Sequence, residues 1–125
     1  MNKSIKVLIV EDEDFLLEAL EDRFLSEGFE VLKAMDGQEG LKSALESKPD
    51  VILLDIVMPI MDGVTMLHLL REKEEGKKIP VVFLTNLSSA ESIYGPLENM
   101  SSGYLVKANW KLEDVVKKVK EVLNK

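Results

Sequence analysis

Four consecutive acids, Glu11, Asp12, Glu13 and Asp14, follow a short apolar run near the start of the chain. Asp55 follows V-I-L-L, Thr85 follows V-V-F-L, and Lys107 follows Y-L-V. If each run is a strand and the strands all point one way, these residues meet at one sheet edge. Glu11, Asp12 and Asp55 would bring carboxylates, Thr85 a hydroxyl and Lys107 an ammonium. Two carboxylates about 4 Å apart repel by about 4 kcal/mol at an effective dielectric near 20, so the cluster calls for a cation. Oxygen-only ligands select Mg²⁺ or Ca²⁺ over softer metals, and a small, partly hydrated site with few carboxylates favours Mg²⁺.

The elements that must position these residues alternate along the chain. Residues 5–10 (I-K-V-L-I-V) are short, apolar and β-branched, which suits a strand buried on both faces. Phe15, Leu16, Leu20, Phe24 and Leu25 recur at helical spacing, and Gly28 stops that helix. Residues 30–35 form a second strand. Asp36 caps a second helix, with Glu39 three residues on in a capping-box arrangement, Leu41, Ala44 and Leu45 as its apolar face, and Pro49 as its end. Residues 51–54 are the third strand, Pro59 and Gly63 punctuate a loop, and Val64, Leu67 and Leu70 mark a third helix. Pro80 opens a fourth strand over 81–84. A short fourth helix within 88–100 is cut by Gly95-Pro96, because Pro lacks the amide and clashes with the preceding turn. Residues 104–106 are a fifth strand. Leu112, Val115, Val116, Val119, Val122 and Leu123 fall on one face of a last helix. Five βα units in sequence predict an α/β fold: a five-stranded parallel sheet with helices on both faces. Ligands of such sheets sit beyond the carboxyl ends of the strands.

Composition sets the outer bounds. The 125 residues are 46% hydrophobic and 31% charged, an ordinary globular mix, so one domain, 1–125, is expected, without an output domain. With no Cys there is no disulfide scaffold and no thiolate nucleophile or ligand. The longest apolar runs are four residues, too short for a membrane span or a signal sequence, so a cytoplasmic protein is expected. A net charge of −7 argues against nucleic acid as a partner. The charge is uneven: residues 1–30 carry a net −6, and residues 104–125 a net +3.

The run from Asp55 to Gly63, D-I-V-M-P-I-M-D-G, resembles the phosphorylation-site segment of response-regulator receiver domains almost letter for letter. The acidic pair after the first strand, Thr85, Tyr104 and Lys107 also stand at that family's spacing, and the resemblance covers the whole chain. It implies the phosphoacceptor module of two-component signalling, built on a doubly wound, flavodoxin-like sheet of strand order 2-1-3-4-5. Asp55 resembles the nucleophile that takes a phosphoryl group from a phosphohistidine or a small acyl phosphate. Asp12, Asp55 and the backbone carbonyl of Val57 would ligate Mg²⁺, with Glu11 acting through water. Lys107 would pair with the phosphoryl oxygens, Thr85 would hydrogen-bond to one of them, and Tyr104 matches the aromatic whose rotamer follows Thr85. The implied partners are a sensor histidine kinase or histidine phosphotransfer protein, a downstream protein target, and a second copy in a weak homodimer. Partners would meet the face made by the fourth helix, fifth strand and fifth helix. The chain would be no enzyme toward other molecules, promoting only its own phosphorylation and dephosphorylation. Phosphoryl transfer needs in-line positioning and charge neutralisation, which a divalent ion and Lys107 would supply.

Some positions depart from the family pattern. Ala108 stands where Pro usually follows the Lys, so the bond either carries the cost of a cis non-proline peptide, about 2.5–4 kcal/mol, or is trans with a rebuilt loop. Met100-Ser101 replaces a common Gly-Ala. These changes, with Gly95-Pro96, leave open a receiver-like interaction module that works without phosphorylation. Val57 and Leu87 are apolar, and would hinder an attacking water and slow loss of the phosphoryl group. A dinucleotide-binding fold would need G-x-G-x-x-G where E-D-E-D stands, and those acids would repel a flavin phosphate. A haloacid-dehalogenase-type phosphatase would need Asp at Val57. His68, the sole histidine, stands beside the apolar face of its helix and is expected to be structural or at the surface rather than a phosphohistidine. Met58, Met61 and Met66 are expected as core filler and Trp110 as an anchor. Lys117, Lys118 and Lys120 should form a solvated face near a helix C-terminus.

Overall fold

Short β-branched runs cannot reach across a domain as helices, and here they pair as strands. The structure, a computed structural model, describes residues 4–85, 100–106 and 111–124, the side chains of Thr85 and Val106 excepted. Its elements are β1 (Lys6–Val10), α1 (Asp14–Ser26), β2 (Glu30–Ala34), α2 (Gly37–Ser47), β3 (Val51–Asp55) and α3 (Gly63–Glu72). A single 3-10 turn (Glu74–Gly76), β4 (Val81–Thr85), β5 (Gly103–Val106) and α4 (Leu112–Leu123) complete them. All strand pairs are parallel, as the alternation predicts, and the order is β2-β1-β3-β4-β5, as the resemblance implies. The predicted helix within 88–100 lies outside the described residues, apart from Met100 in a turn.

The period-two alternation of the strands divides the core in two. Leu8, Val10, Ile52, Leu54, Val81 and Phe83 pack with Ala44, Met66, Leu67 and Leu70 of α2 and α3. Val7, Ile9, Val51, Leu53, Val82 and Leu84 point the other way, against Leu17, Leu20 and Phe24 of α1 and the four buried valines of α4. The central strands β1 and β3 are thus apolar on both faces, which is why they read as continuous runs.

One expectation fails in α1. Phe15 is 92% exposed and Leu25 half exposed, while Leu17, Leu20 and Phe24 form the buried stripe. At about 100° per residue, a face through 17, 20 and 24 leaves position 15 on the far side and 25 at the rim. The helix also starts one residue earlier than its first apolar position.

The start of α2 is capped as read, without the full capping box: the Asp36 carboxylate accepts from the Glu39 amide (2.8 Å), while Glu39 Oε1 accepts from the Met35 amide (3.1 Å), one residue before the cap. The last turn of α2 closes on Lys48 at φ 47°, ψ 65°, with its amide donating to the Ala44 carbonyl. A left-handed lysine is strained where glycine is not. Lys48→Gly is therefore expected to raise the unfolding free energy by about 1 kcal/mol, read as a higher urea midpoint with an unchanged slope.

Arg71, half-buried at the end of α3, forks onto two carbonyls. Its Nε and Nη2 donate to Met100 O (2.9 and 2.7 Å), and its Nη1 donates to Gly76 O (2.6 Å). Burial holds its pKa below the usual arginine value. The fork ties the approach to β5 onto α3. Arg71→Ala leaves two carbonyls without these donors and should cost about 2–3 kcal/mol in urea unfolding, with Arg71→Lys recovering only part because an ammonium lacks the planar fork. On the other face, Lys120 Nζ donates to Glu27 Oε1 (2.9 Å), joining α4 to α1. That hydrogen bond and the lysine charge hold the Glu27 carboxyl below its usual range. Among the described residues no helix is long and apolar enough to cross a membrane.

Candidate phosphoacceptor site

The parallel register pairs Val10 with Leu54, so the next residues of β1 and β3 emerge side by side at the carboxyl edge. Glu11 is fully buried, Asp12 half-buried and Asp55 only 5% exposed. Each offers a carboxylate oxygen, and these oxygens all lie within 4.8 Å of one another. The loop after β1 is held at both ends of Glu11: its amide donates to Ala34 O at the end of β2 (3.0 Å), and its Oε2 accepts from the Glu13 amide (3.0 Å).

Three carboxylates so close repel, each pair by about 3–4 kcal/mol at an effective dielectric near 20. A bound cation is the ordinary remedy. The all-oxygen donor set fits a hard divalent ion and offers nothing to a soft one. Glu11, Asp12 and Asp55 are the set named from the sequence, and the structure brings them together.

The β3–α3 loop carries Val57, 61% exposed, and Ile60, 76% exposed. Ile60 sits at φ +69°, and the Met61 amide donates across it to Pro59 O (2.7 Å). This is the rare form of the three-residue turn, unfavourable by about 1–2 kcal/mol for a β-branched residue. The loop ends at Gly63, whose amide donates to Ile56 O (2.8 Å). A Cβ at Gly63 would overlap the Asp55 carbonyl oxygen, so only glycine lets α3 start against the end of β3.

Thr85 is the last residue of β4 and pairs in register with Val106. Tyr104 is half-buried in β5, opposite Phe83 and against the core shared with α2 and α3. Lys107, which follows Val106, lies outside the described residues, as do Leu87, Ala108, its peptide bond with Lys107, and Trp110. His68 is exposed, while Met58 and Met66 are buried and Met61 packs at the core margin. Lys117 and Lys120 are exposed, and Lys118 is half-buried over Gly103. Two features near the acids escape sequence reasoning: the exposed ring of Phe15 in the first turn of α1, and the strained turn at Ile60. The first shows only once the phase of α1 is known, and the second has no composition signal, because isoleucine is a poor turn residue.

A family model described as the response regulator receiver domain matches residues 7–120. The transcriptional regulatory protein PrrA of Mycobacterium tuberculosis is 40% identical over 122 residues, which are 98% of this chain and 51% of PrrA. The chain thus spans about half the length of that relative. The chemotaxis response regulator CheY4 of Vibrio cholerae superposes with a TM-score of 0.87 at 29% identity, covering 96% of this chain and 99% of that one. The receiver domain of sensor histidine kinase PA1611 from Pseudomonas aeruginosa PAO1 shares the fold, with a TM-score of 0.88 at 24% identity over 98% of this chain and 100% of that one. In that structure a magnesium ion is coordinated in the active site cleft.

Proposed function

The chain belongs to the response-regulator receiver family, and from that premise we propose that Asp55 is its phosphoacceptor. The observation that carries this is the meeting of Glu11, Asp12 and Asp55, with Asp55 opening the D-I-V-M-P-I-M-D-G segment. Asp12, Asp55 and the Val57 carbonyl would hold a magnesium ion directly, with Glu11 acting through water. The magnesium ion of the PA1611 receiver supports that choice of metal. When bound, the ion supplies positive charge where the phosphoryl oxygens build negative charge.

The chain's own residues do the rest. An Asp55 carboxylate oxygen attacks the phosphorus of a phosphohistidine, the P–N bond breaks, and its electron pair leaves with the imidazole. The Lys107 ammonium pairs with the transferred oxygens, and the Thr85 hydroxyl donates to one of them. Thr85 moving toward the phosphoryl group opens space that Tyr104 fills, which shifts the population between two packings of the β4–β5 side. The phosphoryl donor is a sensor histidine kinase or a histidine phosphotransfer protein, and the changed face of β5 and α4 meets a downstream target or a second copy. PrrA is a transcriptional regulator by name, so an output on nucleic acid through another domain or protein fits this chain as well as a protein target does. The acidic charge of the chain itself does not suit it to phosphates. The chain acts as no enzyme on other molecules and works in the cytoplasm.

The test is incubation with acetyl phosphate and Mg²⁺, followed by intact mass. The expected product carries one phosphoryl group and is absent when a chelator is present. An unmodified protein under these conditions would favour the interaction-only module.

A further inference from the structure

The loop that carries Val57 touches a helix with no part in the proposed chemistry. The Gly37 amide, in the first turn of α2, donates to the Met61 carbonyl at 2.9 Å. A Cβ at Gly37 would overlap that carbonyl oxygen and press on the Met61 carbonyl carbon and Cβ. Met61 in turn closes the turn over Ile60 with its own amide. The hold on the loop is thus continuous. The Asp36 carboxylate fixes the first turn of α2, Gly37 holds Met61, Met61 holds the strained turn, and Gly63 fixes the far end against Asp55 and Ile56.

A strained turn persists only where its surroundings over-determine it. Ile60 is 76% exposed, so its own side chain supplies little of that restraint. The restraint comes from the backbone contacts at Met61 and Gly63. We infer that Gly37 is a positioning residue for phosphoryl transfer: through Met61 it holds the β3–α3 loop in the conformation that presents the Val57 carbonyl beside Asp55. This rests on the metal site proposed above. Gly37 is not among the residues proposed to hold the metal or the phosphoryl group, and acts through the loop as residues behind metal ligands do.

Gly40, one turn along α2, provides the comparison. A Cβ there would meet Val10 Cγ2 at 2.9 Å and Met66 Sδ at 3.0 Å, side chains of the core rather than the loop. Gly37→Ala and Gly40→Ala should therefore both lower stability, and only the first should disturb the loop.

The experiment is calorimetric titration of the full chain with MgCl₂, with amide hydrogen exchange of the metal-free protein across residues 52–63. Gly37→Ala is expected to weaken magnesium binding about tenfold and Asp36→Ala about threefold, with faster exchange at the Gly63 amide in both. Gly40→Ala is expected to bind within about twofold of wild type, at comparable thermal stability to Gly37→Ala. Asp36→Ala adds no atoms, so it decides the question if Gly37→Ala does not fold. Wild-type affinity and wild-type exchange in Asp36→Ala, or losses in Gly40→Ala equal to those in Gly37→Ala, overturn the inference. A wild-type chain that binds no magnesium overturns instead the site on which it rests.

Discussion

Asp55→Asn is expected to take up no phosphoryl group from acetyl phosphate, a loss of at least about 1,000-fold in rate, while folding as well as wild type. The substitution keeps the side-chain shape at a position only 5% exposed, so packing against β1 and α3 is preserved. It removes the anionic oxygen, and an amide is no nucleophile toward phosphorus. It also removes one of three clustered negative charges, so the metal-free variant should melt no lower than wild type. The two readouts separate chemistry from folding. Intact mass should show no adduct, and a circular-dichroism melt should show no loss. A lower melting temperature would mean that Asp55 holds the sheet edge together. An adduct on the Asp55→Asn variant would place the acceptor on another residue.

The sheet was legible because burial on two faces leaves a plain signature. Residues 7–10, 51–54 and 81–84 are uninterrupted apolar runs, and each is fully buried. Their common direction then fixes where Glu11 and Asp55 emerge, so the acidic cluster could be named before any geometry was known. The faces of the helices were harder to read. In α1 the apolar residues outnumber the buried positions, and Phe15 and Leu25 suggest a stripe about as well as Leu17 does. Only the sheet behind the helix selects the phase. The backbone of the phosphoacceptor loop was not legible at all. The strain at Ile60 and the contact between Gly37 and Met61 depend on where α2 lands beside α3, a tertiary fact with no local pattern. Gly63 could be read as punctuation, but the Asp55 carbonyl that it must clear could not.

The same crowding of charge predicts how the protein answers to magnesium. Without the ion, Glu11, Asp12 and Asp55 repel one another in a partly dehydrated pocket. With it, the folded state gains the binding free energy that the unfolded chain lacks. At a free concentration 100 times the dissociation constant this is about 2.7 kcal/mol, a rise of about 10 °C in melting temperature for a chain of this size. Asp12→Asn should reverse the pattern. Its metal-free form melts higher than metal-free wild type, because the repulsion falls, and added MgCl₂ then moves it by no more than about 2 °C. The two effects have opposite signs and come from one substitution, so general destabilisation cannot imitate them. Scanning calorimetry of wild type and Asp12→Asn, each with chelator and with MgCl₂, checks both. If Asp12→Asn still gained the full increment, the ion would be held elsewhere on this acidic surface, and the three carboxylates at the strand ends would need another source of compensation.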